Sequence, residues 1–176
     1  EILGPNLLVL DVPFFIKEPK SQNFVSWHQD LHYWGLETED EVTAWVALSP
    51  ATKESGCMRF VASSHNQRID HRDTFHSDNL LTRGQEVLVK VDESKATDGE
   101  LLGGQMSIHH GRIFHASRPN NTNERRIGIA IRYIPTHARQ MPGSNMSAML
   151  VRGEDTYHNF NLCHPPSGVM EERDIE

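Results

Sequence analysis

Residues 111–134 read GRIFHASRPNNTNERRIGIAIRYI, and this stretch carries the clearest information about the fold. It contains two β-prone runs joined by a polar turn, at residues 113–116 and 126–134. Side chains alternate between the two faces of a strand. In the second run one face is apolar and consists of Ile127, Ile129, Ile131 and Tyr133. The other face carries Arg126 with the small residues Gly128 and Ala130, which predicts a guanidinium beside open space inside a barrel.

The rest of the chain repeats this pattern of short β-prone runs between Gly, Pro and polar turns. No stretch keeps a helical period of 3.6 residues over three turns. We therefore predict an all-β sandwich or barrel with minor helical content. The predicted strands cover residues 7–16, 26–32, 42–48, 57–62, 86–91, 105–109, 113–116 and 126–134.

The length of 176 residues is typical of one domain. We expect a core over residues 1–140 and a C-terminal segment over 141–176 that packs on it and ends in a partly ordered, charged tail. Between residues 63 and 85 the chain is polar, which predicts an excursion over the surface. The chain begins at Glu1 without an initiator Met, as a fragment does.

Composition excludes several classes of function. The formal net charge of -7 lacks the basic excess of a nucleic-acid-binding protein. No apolar run approaches the roughly 20 residues of a membrane helix. The two cysteines, Cys57 and Cys163, have no CxxC spacing, which disfavours a disulfide framework or a thiolate zinc site and favours a reducing, cytoplasmic location.

Histidine is abundant, with 11 residues, and imidazole is a common ligand of transition metals. Composition alone predicts about 0.6 HxD pairs, whereas the sequence contains three, so the motif is weak by itself. The pair His28/Asp30 lies in VSWHQDLHYWGL, a β-prone run that would hold both ligands on one strand face. The other two pairs, His71/Asp73 and His76/Asp78, lie in the polar excursion, and we favour the first.

A third ligand would complete a 2-His-1-carboxylate set, as in non-haem Fe(II) oxygenases. His115 is the favoured candidate, and His32 is a local alternative. Arg126 offers a planar fork for a carboxylate, although a surface ion pair with Glu124 is the alternative. Several other residues remain open between a site role and an ordinary core role, namely Trp27, Trp34, Trp45, His109 and His110; of these, Trp34 is our candidate for the substrate pocket.

The chain resembles the phytanoyl-CoA dioxygenase family of Fe(II)/2-oxoglutarate oxygenases over residues 6–133. The resemblance rests on WHQD at 27–30, AWVALSPATKESGCMRFVASSH at 44–65, HHGRIFHASRPN at 109–120, and an Arg eleven residues beyond His115. It implies a double-stranded β-helix, the cupin-like jelly roll. It also implies Fe(II) on His28, Asp30 and His115, and the distal carboxylate of 2-oxoglutarate on Arg126 and Ser117. Thr43 and Trp45 align with positions that touch this cosubstrate.

The same resemblance implies O2-dependent hydroxylation of a small-molecule substrate with release of succinate and CO2. Halogenating relatives replace the metal carboxylate with a small residue, and Asp30 argues against that outcome. The family's N-terminal helical region is apparently absent from this chain, and the ASSH turn at 62–65 departs from the commoner PGSH. The sequence leaves the substrate and the oligomeric state open.

Two other functions are compatible with the same metal ligands. A zinc hydrolase would use them to lower the pKa of a bound water, but it has no need of Arg126 and Ser117. A cupin-like binding module without catalysis is the third reading, and no residue in the sequence favours it.

Overall fold

The computed structural model describes residues 2–169, and its regular structure is almost entirely β. The only helices in this range are three single 3-10 turns, at Asp30–His32, Ser64–Asn66 and Glu93–Lys95. The strands are β1 Leu7–Val9, β2 Phe14–Lys17, β3 Val25–His28, β4 Val42–Ala47, β5 Met58–Val61, β6 His71–Asp73, β7 Gln85–Val87, β8 Ala96–Gly99, β9 Met106–His110, β10 His115–Ser117, β11 Arg126–Pro135, β12 Ser147–Arg152 and β13 Asn161–Cys163.

Two sheets form the barrel. The larger has the order β13-β12-β1-β11-β4-β9, with β2 also paired to β11, and the smaller has the order β3-β10-β5-β8. Strands β6 and β7 form a separate two-stranded sheet. Neighbours within each main sheet are antiparallel except for the parallel pair β12 and β13. The predicted all-β jelly roll with minor helical content is confirmed.

Several predicted strand boundaries were wrong. The run 7–16 is two strands, because the chain breaks before Pro13, which has no N–H to donate to a ladder. The run 26–32 ends at His28, and Asp30 begins a 3-10 turn. The excursion at 63–85 is not wholly a surface loop, since it contains β6 and contributes Leu81 to the wall of an inner cavity.

Part of the open space predicted beside Arg126, the part at Gly128, is filled by Trp45. Strand β4 pairs with β11 so that Trp45 lies opposite Ala130, and a Cβ added at Gly128 would overlap the indole ring. The ring is buried and belongs to a small core cluster with Ala47, Cys57 and Met58. Glycine at 128 is therefore a packing requirement of the indole rather than a source of empty space.

We expect Gly128→Ala to destabilise the protein by about 1–3 kcal/mol, the usual cost of overpacking a core. Urea unfolding followed by circular dichroism would measure it. Gly103→Ala is the matched control, because a Cβ at Gly103 would come no closer than 3.9 Å to another heavy atom. Equal stability of the two variants would contradict the packing role of Gly128.

Residues beyond 140 extend the larger sheet. Strand β12 pairs antiparallel with β1, and Phe160 joins a core cluster with Leu8 and Ile134. The charged end of the predicted tail, residues 170–176, lies outside the described residues. The boundary at residue 140 stays a prediction. Within residues 2–169, no helix reaches the length and apolar character of a membrane span.

Candidate active site

The structure brings His28, Asp30 and His115 together inside the barrel. His28 and His115 are directly opposite each other on the paired strands β3 and β10, and their ring centroids are 4.0 Å apart. Asp30 approaches from the 3-10 turn, with its Oδ1 3.2 Å from Nε2 of His28 and 3.8 Å from Nε2 of His115. All three side chains are buried, and their ligand atoms lie within 4.8 Å of one another.

Main-chain carbonyls fix which nitrogen of each ring carries the proton. Nδ1 of His28 lies 2.9 Å from the Ser26 carbonyl, and Nδ1 of His115 lies 3.0 Å from the Ile113 carbonyl. A carbonyl only accepts, so in a neutral ring Nδ1 donates and Nε2 presents a lone pair. Both Nε2 lone pairs then face the Asp30 carboxylate, an arrangement that a cation between the three groups stabilises.

The charges of the cluster fit a metal ion. Burial lowers the pKa of His115 well below its ordinary value, so its ring is neutral. Burial disfavours ionisation of Asp30, but the neighbouring His115 and His28 rings and the Arg132 guanidinium outweigh it and hold the pKa of Asp30 well below its ordinary value. Two imidazoles and one carboxylate are a donor set that suits non-haem Fe(II).

Gln29 holds the backbone between the two ligands of the WHQD motif. Its buried amide nitrogen donates to the carbonyls of Gln67 (2.7 Å) and Arg112 (2.6 Å), and its amide oxygen accepts from the N–H of Ile69 (3.0 Å). Its own N–H donates to Nε2 of His71 at 2.9 Å. These contacts explain why the chain leaves the strand at this point and turns Asp30 back towards His28.

His32, His71 and His76 do not join this cluster. The His32 ring stacks on the His71 ring at 4.3 Å between centroids, and His71 is held by Gln29 and by the Ile69 carbonyl. His76 lies in the excursion and packs edge-on against Phe24. The structure therefore separates the three HxD pairs as the sequence argument favoured.

A small cavity connects the cluster to the other predicted residues. Its walls include the clustered residues His28, Asp30 and His115 and also Arg126, Ser117, Thr43 and Trp45. The Arg126 guanidinium carbon lies 5.3 Å from the centroid of the Trp45 ring. The Thr43 hydroxyl is already occupied, because it donates to Glu41 at 2.9 Å.

Arg126 is a buried cation without an anionic partner. Its side chain is 2% exposed, and no described carboxylate forms an ion pair with it. Its one side-chain hydrogen bond to a described residue is from Nη1 to the Phe15 carbonyl at 3.3 Å, and Nε has no partner among these residues. Burial lowers the pKa of Arg126 to about 10, so it remains charged at neutral pH. An unpaired buried charge is costly, and a bound carboxylate would compensate it.

An outer cleft of about 520 Å³ opens next to His28 and Asp30. Trp34 lies in its wall, where its ring stacks 4.6 Å from the guanidinium carbon of Arg132, and it also packs on the main core cluster. Arg132 in turn pairs with the exposed Asp11 at 2.6 Å. Aromatic and aliphatic side chains line most of the rest of the cleft, namely Pro13, Phe14, Phe15, Ile16, Tyr33, Leu80 and Leu81.

Three buried or half-buried residues near the site, namely Arg132, Lys17 and Glu41, escaped the sequence argument, whereas it had left the role of His109 open. Arg132 follows the same alternation as Arg126 and was visible in that pattern. Lys17 and Glu41 are fully buried, and His109 lies in the cavity wall. Burial raises the pKa of Glu41 to about 9, and burial lowers the pKa of His109 to about 4, so both are neutral at pH 7.

The fold and this site together describe one class of protein. It is a cupin-like jelly roll in which two histidines and a carboxylate line a cavity that is also lined by a buried arginine. The chain belongs to the phytanoyl-CoA dioxygenase (PhyH) family, whose model matches residues 1–128.

Similar proteins agree with this assignment. A probable alpha-ketoglutarate-dependent hypophosphite dioxygenase of Stutzerimonas stutzeri is 28% identical over 165 residues, which are 88% of this chain and 56% of that protein. The apo structure of the non-haem monooxygenase ThoJ is 36% identical, with a TM-score of 0.86 over 98% of this chain and 63% of that one. Its nickel complex is 34% identical with a TM-score of 0.78, over 98% and 62%. The chain thus spans less than two thirds of each of these relatives.

Proposed function

We propose that this chain is the catalytic core of a non-haem Fe(II), 2-oxoglutarate-dependent oxygenase that hydroxylates a small-molecule substrate. The observation that carries the proposal is the shared cavity, whose walls contain both a three-residue cluster of metal-ligand type and the unpaired cation Arg126. A metal hydrolase has no use for that buried cation. A dicarboxylic oxo-acid needs both features, one for chelation and one for its distal carboxylate.

His28, Asp30 and His115 would hold the iron, and Arg126 with Ser117 would hold the distal carboxylate of the oxo-acid. With iron and oxo-acid bound, such a site activates O2 and converts 2-oxoglutarate to succinate and CO2. The residues of the chain supply binding and orientation: Arg126 aligns the oxo-acid, Trp45 packs beside Arg126, and the carbonyls of Ser26 and Ile113 hold the two imidazole rings. Burial of the whole cluster excludes bulk water.

Hydroxylation rather than halogenation is supported by Asp30, because its carboxylate would take the coordination position that a halide needs. The outer cleft supports a small organic substrate, since it borders His28 and Asp30 and is walled largely by apolar side chains. The names of the hypophosphite dioxygenase and of the monooxygenase ThoJ also describe oxygen insertion. We place the catalytic core in residues 1–140, with the remainder packed against it.

We expect the metal-free protein to form succinate from 2-oxoglutarate only when Fe(II) and O2 are both supplied. Succinate is quantified by mass spectrometry with Fe(II), with Zn(II) and under argon, because zinc has no redox chemistry to offer. The His28→Ala variant is the protein control for free iron in solution. Succinate that forms equally with Zn(II), or a complete lack of it with Fe(II) and O2 across a substrate panel, would contradict the proposal.

A further inference from the structure

Lys17 is a second buried basic residue next to Arg126. It is the last residue of β2, its Cα is paired with that of Arg126 in the sheet, and it is 0% exposed. A fully buried lysine is rare unless an anion accompanies it. No described carboxylate forms an ion pair with Lys17, so two adjacent basic side chains are buried without an anion beside them.

The terminal amino group of Lys17 contacts neutral oxygen atoms. Nζ donates to the Ser117 hydroxyl at 2.7 Å and to the Arg118 carbonyl. Gly56, at a φ of +75°, closes over this group, and a Cβ added there would lie 3.1 Å from Nζ. Lys17 does not line the cavity, whereas Ser117 does, so any effect of Lys17 on a ligand passes through Ser117 and through charge.

The hydrogen bond from Lys17 sets the orientation of the Ser117 hydroxyl. Lys17 uses a lone pair of that oxygen, so the hydroxyl proton must point elsewhere. The Ser117 hydroxyl donates to none of the described residues, and Ser117 lines the cavity, so its proton is available to an acceptor there. Ser117 is thereby fixed as a donor to an acceptor beside Arg126.

The surroundings of Lys17 lower its pKa into the range where its charge can change. Burial and then the positive charge of Arg126 lower the pKa of Lys17 to about 6, and the facing Cys57 thiol acts weakly in the opposite direction. The thiol itself is neutral, because burial raises its pKa to about 11. The Arg118 guanidinium is turned away to Asp98 at 3.1 Å. At pH 7.5 Lys17 is therefore mostly an uncharged amine when no anion is bound.

We infer that Lys17 is a positioning residue of the oxo-acid site, which presents the Ser117 hydroxyl to a dicarboxylic 2-oxo acid and takes up a proton when that acid binds. This inference rests on the proposed function. The amine of Lys17 gains one proton from the buffer and becomes an ammonium, and no other bond changes. The incoming carboxylate offsets the repulsion by Arg126, which is the physical reason for the uptake.

Proton uptake gives the binding a defined pH dependence. Because the complex holds more protons than the free protein, binding strengthens as pH falls, by up to about tenfold per pH unit. The gain is confined to pH values above about 6, where Lys17 is neutral in the free protein, and it levels off below that value. A cosubstrate site built on Arg126 alone would lack this dependence on Lys17.

The test is calorimetry of 2-oxoglutarate binding to the Fe(II)-loaded protein under argon, in buffers of different ionisation enthalpy, from pH 6 to 8.5. We expect the wild type to take up close to one proton at pH 7.5. Lys17→Met and Lys17→Gln should lose that uptake and bind about tenfold more weakly. The glutamine variant keeps an N–H donor for Ser117 but cannot take up a proton. Thermal unfolding of both variants would show whether either loss of binding is caused by misfolding.

Lys20→Met is the matched control, because Lys20 also donates to a main-chain carbonyl of the same turn, that of Asn121 at 2.7 Å, but is exposed. It should keep the wild-type uptake. 2-Oxovalerate, which lacks the distal carboxylate, should bind wild type without uptake. If wild type binds 2-oxoglutarate and a folded Lys17 variant shows the same affinity and proton uptake, the inference is wrong. If wild type binds no 2-oxoglutarate at all, the proposed function fails instead.

Discussion

Replacing His28 with alanine is expected to lower the affinity for Fe(II) more than about 100-fold. Removal of a residue that only hydrogen-bonds to a metal ligand typically lowers metal affinity about 10- to 100-fold. His28 is itself a proposed ligand, so its removal should have a larger effect. Its Nε2 faces the Asp30 carboxylate, and within the described residues the cluster of possible metal ligands consists of His28, Asp30 and His115. Anaerobic Fe(II) titration, with metal content measured after dialysis, would give the change.

His76→Ala is the matched control, since it removes the histidine of another HxD pair from an exposed part of the excursion. It should keep wild-type iron affinity. His71→Ala should weaken iron binding only modestly, because His71 accepts from the N–H of Gln29 and so supports the turn between the ligands. Circular dichroism must show that each variant is folded. A folded His28→Ala protein that retains iron while His76→Ala loses it would overturn the assignment.

Replacing Arg126 with alanine should weaken 2-oxoglutarate binding about 10- to 150-fold, which corresponds to roughly 1.5–3 kcal/mol for a charged hydrogen-bonded contact. Iron affinity should change little, because Arg126 is not among the three clustered metal donors. Anaerobic titration of the iron–oxo-acid charge-transfer band measures the affinity for 2-oxoglutarate separately from the affinity for iron.

The neighbouring Arg125 provides the control for this experiment. It is exposed and paired with Glu18 at 2.8 Å, so Arg125→Ala removes a charge at the surface and should leave cosubstrate binding intact. Loss of Arg126 leaves no described carboxylate unpaired in the interior, so the variant should fold. An unchanged titration midpoint in folded Arg126→Ala would show that the carboxylate binds elsewhere.

Side-chain alternation made much of the barrel interior predictable from sequence. It put Arg126, Gly128 and Ala130 on one face of β11, and this inner face is the buried one in the structure. The same alternation places Arg132, two residues after Ala130, on this face. The filling of that face was not predictable, because the space at Gly128 is taken by Trp45 from another strand.

The placement of Asp30 shows where local patterns fail. Alternation predicted that His28 and Asp30 share a strand face, but the strand ends at His28 and Asp30 begins a 3-10 turn. The cause is long-range: the carbonyls of Gln67 and Arg112 bind the Gln29 side chain. Lys17 was missed for a related reason, since a lysine is expected at the surface and its burial depends on the distant segment around Ser117.

The pairing of distant strands at the site also has a kinetic consequence. Lys17 and Ser117 are separated by 100 residues, and β3 meets β10 only when a comparably long loop has closed, so these contacts have high contact order. A ligand bound there stabilises the native state, by about 2.7 kcal/mol at 100 times its Kd. If the site forms after the rate-limiting step, that energy slows unfolding about 100-fold and leaves refolding unchanged. Site occupancy would then set the lifetime of the folded barrel.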